Sequence, residues 1–194
     1  MLKVLLVLLG VFLAAVVGLY GYMGGFTKVD VTQKVFDAEE IFYTTHKGPY
    51  EKLEESWTPF VEKYQALGIK DCDALSVYLD PPNTPPEELR TIIGCRMGEL
   101  DDEVKASVAK NFSTTVLPEA PSYYGSFPYK NDFSFMFGPM MVYPAFQKLI
   151  AVGQINPSVS IEDYGYDKGR SEIYYYMPAQ KTVSDYQALF DAFN

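Results

Sequence analysis

The sequence predicts an α+β protein: a single apolar N-terminal helix followed by one domain of two β-α-β-β repeats. Three observations carry this expectation. Residues 4–23 read VLLVLLGVFLAAVVGLYGYM, twenty positions without a charge. Strand-like runs then bracket a helical periodicity twice, in the same order. Finally, PFVEKYQALG (59–68) aligns with PAFQKLIAVG (144–153) under a shift of 85. Pro59/Pro144, Lys63/Lys148, Ala66/Ala151 and Gly68/Gly153 are identical in that alignment, as a duplicated unit requires.

The apolar segment comes first. At 1.5 Å per residue it spans about 30 Å, the thickness of a bilayer core. Tyr20 and Tyr22 lie at one end, where an aromatic belt is expected. The apolar run of a cleaved signal peptide is shorter, about 7–15 residues, so residues 1–25 read as a retained single-pass anchor. Lys3 on one flank and Lys28 with Lys34 on the other leave its orientation open. Asn111-Phe112-Ser113 matches the N-glycosylation pattern, and a glycan there would reveal a lumenal domain.

After Gly24-Gly25, residues 26–34 read as a linker. Residues 36–46 are rich in aromatic and β-branched side chains and predict a strand. Leu53, Trp57, Phe60, Val61, Tyr64 and Leu67 follow at helical spacing, with Gly68 as the cap. Pro59 predicts a kink in that helix, or a start near Ser56. Strands over 75–79 and 91–97 flank the loop DPPNTPPEEL. The second unit repeats the order: a strand over 122–129, a helix over 141–152, and strands over 158–164 and 171–177. The domain therefore spans 35–180, with repeats at about 35–98 and 110–178. Residues 181–194 form a last amphipathic helix through Val183, Tyr186, Leu189, Phe190 and Phe193, entered by Ser184-x-x-Gln187. The strand pairs should make an antiparallel sheet curved around a cleft, with a helix from each unit behind it.

Composition narrows the function. The 194 residues carry a net charge of −9, which repels phosphate backbones and argues against nucleic acid as a partner. Cys72 and Cys95 are too few for a disulfide scaffold or a zinc site. Cys95, sharing a strand face with Ile93 and Met97, reads as a small buried hydrophobe. His46 is the only histidine; without an HExxH or EF-hand pattern, neither a metal nor a cofactor is expected. His46 lies in THKGPYEK, whose counterpart YGSFPYKN keeps Pro-Tyr but has no histidine. It reads as a corner residue. No nucleophile–base–acid set or phosphate loop is evident, so no residue is assigned a catalytic role and binding is the expected activity.

Two tandem β-α-β-β units resemble the GyrI-like, effector-binding fold. YLDPPNTPPEELRTIIGCRMG (78–98), EAPSYYGSFPYK (119–130) and VYPAFQKLI (142–150) further resemble the testis-expressed protein 264 family. Its members are single-pass endoplasmic reticulum proteins carrying one GyrI-like domain. The resemblance implies an ER-phagy receptor with a cytosolic domain, acting as an adaptor. Its partners would be the bilayer, through residues 4–23, and membrane or cytosolic proteins. The family's acidic, serine-rich tail has no counterpart within these residues. Its aromatic-x-x-aliphatic pattern occurs at Tyr50–Leu53, Tyr64–Leu67 and Tyr186–Leu189, all in or beside expected helices, whereas a docked motif is extended.

The resemblance also implies a ligand cleft, because GyrI-like domains hold small cationic or aromatic ligands with a glutamate. Glu162-Asp163-Tyr164 falls in that E-x-Y position. On a strand, Ser160, Glu162 and Tyr164 share one face, expected to line the cleft. Val159 and Ile161 take the other, expected to pack on the helices. Asp163 breaks this alternation, so the strand should end or bulge there. Glu162, Tyr164, Tyr78, Tyr124, Tyr174 and Tyr176 are the candidate ligand-binding residues, an acid within an aromatic cage. Trp57, Phe60, Phe146 and Leu149 are assigned to the core, and MFGPMM (136–141) to an adaptable contact surface or a gap-filling loop. Three functions follow: a membrane-anchored adaptor, an accessory subunit of a larger membrane complex, or a ligand-binding or hydrolytic domain using Glu162.

Overall fold

The computed structural model describes residues 2–81, 83–155, 159–165, 169–179 and 181–194. Leu2–Tyr22 forms one helix, α1, with no buried residue. It is long and apolar enough to cross a membrane, a test that a signal sequence near an N-terminus also passes. The chain then turns through Gly24, whose φ of +86° only glycine adopts freely. Here the end of α1 meets the domain: Met23 is buried, and Tyr20 stacks on Phe137 with ring centroids 6.0 Å apart.

The remaining elements are β1 (Thr32–Phe36), β2 (Glu39–Lys47), α2 (Glu54–Gln65), β3 (Ala74–Tyr78), β4 (Arg90–Arg96), α3 (Asp102–Asn111) and β5 (Ser113–Leu117). They continue with β6 (Ala120–Pro128), α4 (Ser134–Ala151), β7 (Ser160–Asp163), β8 (Glu172–Pro178) and α5 (Gln187–Asp191). Among the described residues, eight strands join one antiparallel sheet in the order β1-β6-β8-β7-β3-β4-β2-β5. That order has the same pattern from either end. The units β2-α2-β3-β4 and β6-α4-β7-β8 meet at the β3–β7 seam, and β5 and β1 extend their outer strands.

Alternation along each strand sends apolar side chains to both faces of the sheet. On one face, α2 and α4 cover Phe42, Ile93, Cys95 and Tyr175 with Phe60, Tyr64, Val142 and Phe146. On the other lie Leu75, Val77, Ile92 and Ile161, covered by Tyr186, Leu189 and Phe190. Each such buried side chain contributes about 1.5–3 kcal/mol.

Several expectations are corrected. Residues 32–34 of the expected linker belong to β1, whose partner β6 lies far along the chain. α3 and β5 fill the interval between the repeats; α3 has one buried residue, Val108, too thin an apolar stripe to read. MFGPMM lies inside α4 and is not a loop. Gly-Pro usually breaks a helix, yet Gly138 and Val142 are buried and their packing prevails. A Cβ at Gly138 would clash with the Tyr175 hydroxyl, so any larger residue there must displace that ring. The C-terminal segment is a 3-10 turn, Val183–Tyr186, leading into a short α5. Its capping box joins Thr182 and Asp185 instead of Ser184 and Gln187. Val159 and Ile161 pack beneath this segment, on the face opposite α2 and α4. The expected start of β7 at Ser158 lies outside the described residues.

The cysteines are also corrected. Cys95 does face the core, but it is joined to Cys72 in a disulfide. The β3–β4 pairing sets Ala74 opposite Cys95, which brings Cys72 within reach although 23 residues separate the two. Sequence spacing carries no sign of that pairing.

Candidate functional site

Glu162 projects from β7 toward α4 and is 3% exposed. In the sheet it lies between Ser76 of β3 and Tyr175 of β8. The Tyr143 hydroxyl, from α4, donates to Glu162 Oε1 at 2.9 Å, and the Tyr164 hydroxyl donates to Oε2 at 3.3 Å. The Tyr78 and Tyr164 hydroxyls are 3.3 Å apart, and Tyr143 lies 3.1 Å from Ser160 Oγ. Rings close around these groups. Phe135 meets Tyr164 edge-on at 5.3 Å, Trp57 meets Tyr164 at 6.4 Å, and Tyr50 meets Tyr78 at 5.1 Å. The Tyr175 hydroxyl is buried with no hydrogen-bond partner among the described residues.

Burial dominates the electrostatics. It pushes the Glu162 carboxyl up to about 7, against the opposing hydrogen bonds from Tyr143, Tyr164 and Tyr78. Burial, reinforced by the Glu162 charge, holds Tyr78 and Tyr143 well above the usual tyrosine range. Burial and the charges of Asp80 and Glu162 raise Tyr50 to about 12. The tyrosines therefore stay neutral, donating hydrogen bonds and presenting ring faces. Among the described residues no cation pairs with Glu162. The arrangement suits a single positive charge delivered to a dry, aromatic-walled acid.

The β3–β7 seam explains the geometry. Ser76-Val77-Tyr78 and Glu162-Asp163-Tyr164 run antiparallel there, with Ser76 opposite Glu162. Tyrosines in matching positions of the two repeats thus converge on one acid. Glu162, Tyr164 and Tyr78 thus come together on one face of the sheet.

Tyr124, Tyr174 and Tyr176 do not join them. Tyr174 pairs with Asp163 and Tyr176 with Ile161, so both occupy the opposite face, where Tyr124 stacks on them at 5.4 and 5.2 Å. The expected six-residue cage is divided by the sheet, because facing depends on strand register, which composition does not reveal. The Lys34 ammonium sits over this tyrosine trio, 4.8, 5.2 and 5.9 Å from the centroids. Tyr174 and Tyr176 line an open cleft of about 700 Å³ with Lys34, Asp163, Arg96 and Arg170.

Asp163 belongs to this second face and shows no bulge. It is buried and takes both guanidinium groups, Arg96 at 3.0 and 3.1 Å and Arg170 at 2.7 and 2.9 Å. Arg96 also pairs with Glu39 and Asp73. Burial works against the Arg96 charge, but Asp163, Asp73 and Glu39 outweigh it and raise its pKa further. The strand does end at Asp163; Gly165 turns with φ +42° and leaves room for Arg170 beside it. In this cleft the buried Asp163 is neutralised by Arg96 and Arg170, whereas no cation among the described residues pairs with the buried Glu162. The candidate site is therefore placed at Glu162.

His46 is buried on β2, with Nδ1 2.9 Å from Ser56 Oγ and Nε2 3.2 Å from the Pro49 carbonyl. A carbonyl only accepts, so Nε2 carries a proton and the ring ties the strand-exit turn to α2. Sequence reasoning missed Tyr143, Phe135, Tyr50 and Tyr175 around Glu162 and assigned Trp57 to the core alone. Tyr143 left a faint signal, a tyrosine inside the apolar stretch VYPAF.

No protein-family model and no curated protein matches the chain. Solved structures do. The EcmrR C-terminal domain is 11% identical, with 79% of this chain and 99% of that one covered and a TM-score of 0.52. SAV2435 bound to tetraphenylphosphonium is 9% identical, with 78% and 94% covered and a TM-score of 0.54. EcmrR in its DNA complex is 10% identical, with 88% and 65% covered and a TM-score of 0.54. At these identities the likeness is one of fold, and the fold is GyrI-like. None of these matches extends the resemblance to the testis-expressed protein 264 family.

Proposed function

We propose that this is a membrane-tethered GyrI-like domain that binds a small aromatic or lipophilic monocation at Glu162, between α2 and α4. The observation that carries it is the buried Glu162 carboxyl, held by tyrosine hydroxyls and paired with no cation among the described residues. A cation brought there relieves the cost of an isolated buried charge. Ring faces of Tyr164, Trp57 and Phe135 add about 0.5–2 kcal/mol for each good contact with it. The tetraphenylphosphonium on the similar SAV2435 belongs to this ligand class. Tyr50, the exposed member of the ring set, marks the side from which a ligand would enter.

Titration of the full-length protein in detergent with tetraphenylphosphonium tests the reading. Wild type should bind saturably and Glu162→Gln should abolish binding. Equal affinity in the two proteins rejects the reading.

The adaptor and accessory-subunit readings draw on a different observation. Phe133, at the N-cap of α4, and Met136 and Met140 within α4 are exposed, beside the Tyr20–Phe137 contact at the end of α1. Such a stripe suits a membrane-borne protein partner. Native sizing after mild extraction separates the readings, since a large stable complex favours a subunit role and a small species does not. A receptor role in autophagy needs an extended aromatic-x-x-aliphatic segment, and Tyr64, Tyr186 and Leu189 are buried within the domain.

A further inference from the structure

We propose that the domain folds on the oxidising side of the membrane that its N-terminal helix enters, and that Asn111 there accepts an N-linked glycan. Two independent features of the fold meet in this assignment. The first is the disulfide. Cys72 and Cys95 are both buried, 3% and 0% exposed, and no free cysteine accompanies them. Their Cα atoms stand 5.5 Å apart, the separation a disulfide requires. Backbone pairing of β3 with β4 sets that separation, with Cys72 just outside the hairpin and Cys95 on its second strand. Such bonds form and persist in oxidising compartments and are rare in the reducing cytosol.

The second feature is the acceptor triplet Asn111-Phe112-Ser113. Its middle residue is not proline, as glycan transfer requires. Asn111 is the exposed last residue of α3, and its side-chain nitrogen donates to the Ser107 carbonyl one turn earlier, at 2.8 Å. Ser113 is exposed at the start of β5, an edge strand of the sheet. A glycan at this corner projects into solvent, away from Glu162 on the covered helical face.

The apolar helix supplies the route. As a cleaved leader, α1 delivers the domain across the membrane; as a retained anchor, it does so with its amino terminus on the reducing side. Either fate sets the domain opposite to the cytosolic placement that the testis-expressed protein 264 resemblance implies. The inference is independent of what Glu162 binds.

Cell-free translation of the full chain with endoplasmic reticulum microsomes tests it. The expected product is protected from added protease and slowed by one glycan that endoglycosidase H removes. Ser113→Ala should lack the glycan, and Ser113→Thr, which keeps the acceptor pattern, should retain it. Maleimide added before reduction should modify neither cysteine, and added after reduction it should modify both. A protease-sensitive, unglycosylated chain whose thiols react before reduction overturns the proposal. Protection and oxidised cysteines without a glycan overturn the assignment of Asn111.

Discussion

Glu162 makes the domain's stability depend on pH in an unusual direction. Most acids are stabilised as anions by folding, but burial lifts this one from 4.5 to about 7. The folded state thus favours the protonated form. Its contribution is fully present below the unfolded pKa, near 4.5, and is lost as pH rises through about 7. The loss is about 3 kcal/mol for a shift of this size. Urea midpoints across pH 4.5 to 8 should therefore fall more steeply for wild type than for Glu162→Gln. Parallel curves would show that the carboxyl is not desolvated. Gly138 gives a second residue-scale prediction. Alanine there meets the Tyr175 hydroxyl at 2.1 Å, and overpacking of this kind costs about 1–3 kcal/mol. A lowered melting temperature and a changed tyrosine near-UV signal should accompany Gly138→Ala, and an unchanged protein would mean that Tyr175 is free to move.

At the scale of elements, local periodicity was a good guide and register was not. The α2 helix was legible because Trp57, Phe60, Val61 and Tyr64 keep one helical face. Six strands were legible because each unit repeats the same order. β1 stayed hidden because pairing with β6 is long-range, and α3 because a single buried valine leaves no stripe. The acid at Glu162 was visible as part of E-x-Y, yet its nearest donor, Tyr143, comes from another element. Tyr174 and Tyr176 were grouped with Glu162 although Tyr175, between them, is the one that shares its face. Asp163 read as an interruption because Arg96 and Arg170, which neutralise it, lie at distances no local pattern spans. The disulfide belongs to this scale as well. Closing a 23-residue separation stabilises the fold by about 3 kcal/mol, chiefly by restricting the unfolded chain. Reduction, or Cys72→Ala with Cys95→Ala, should lower the urea midpoint correspondingly without changing the far-UV spectrum. An unchanged midpoint would show that the bond adds nothing to the hairpin.

Across the whole molecule, a duplicated unit has become chemically unequal at its own seam. Ser76-Val77-Tyr78 and Glu162-Asp163-Tyr164 face each other, with an acid in only one repeat. The pseudo-symmetric sheet sets both tyrosines around that acid, while α2 and α4, one from each unit, supply the aromatic walls. On the opposite face, the C-terminal segment and the Asp163 ion pairs hold the sheet together. The proposed cation site thus belongs to the seam between the repeats. The most direct test is the affinity of full-length protein for tetraphenylphosphonium as a function of pH. In the proposed site the ionised carboxylate is the binding form, so affinity should rise about tenfold per pH unit below 7 and level off above it. Glu162→Gln should show no such rise. A wild-type affinity that is flat from pH 5.5 to 8, or a rise that persists in Glu162→Gln, would contradict the account.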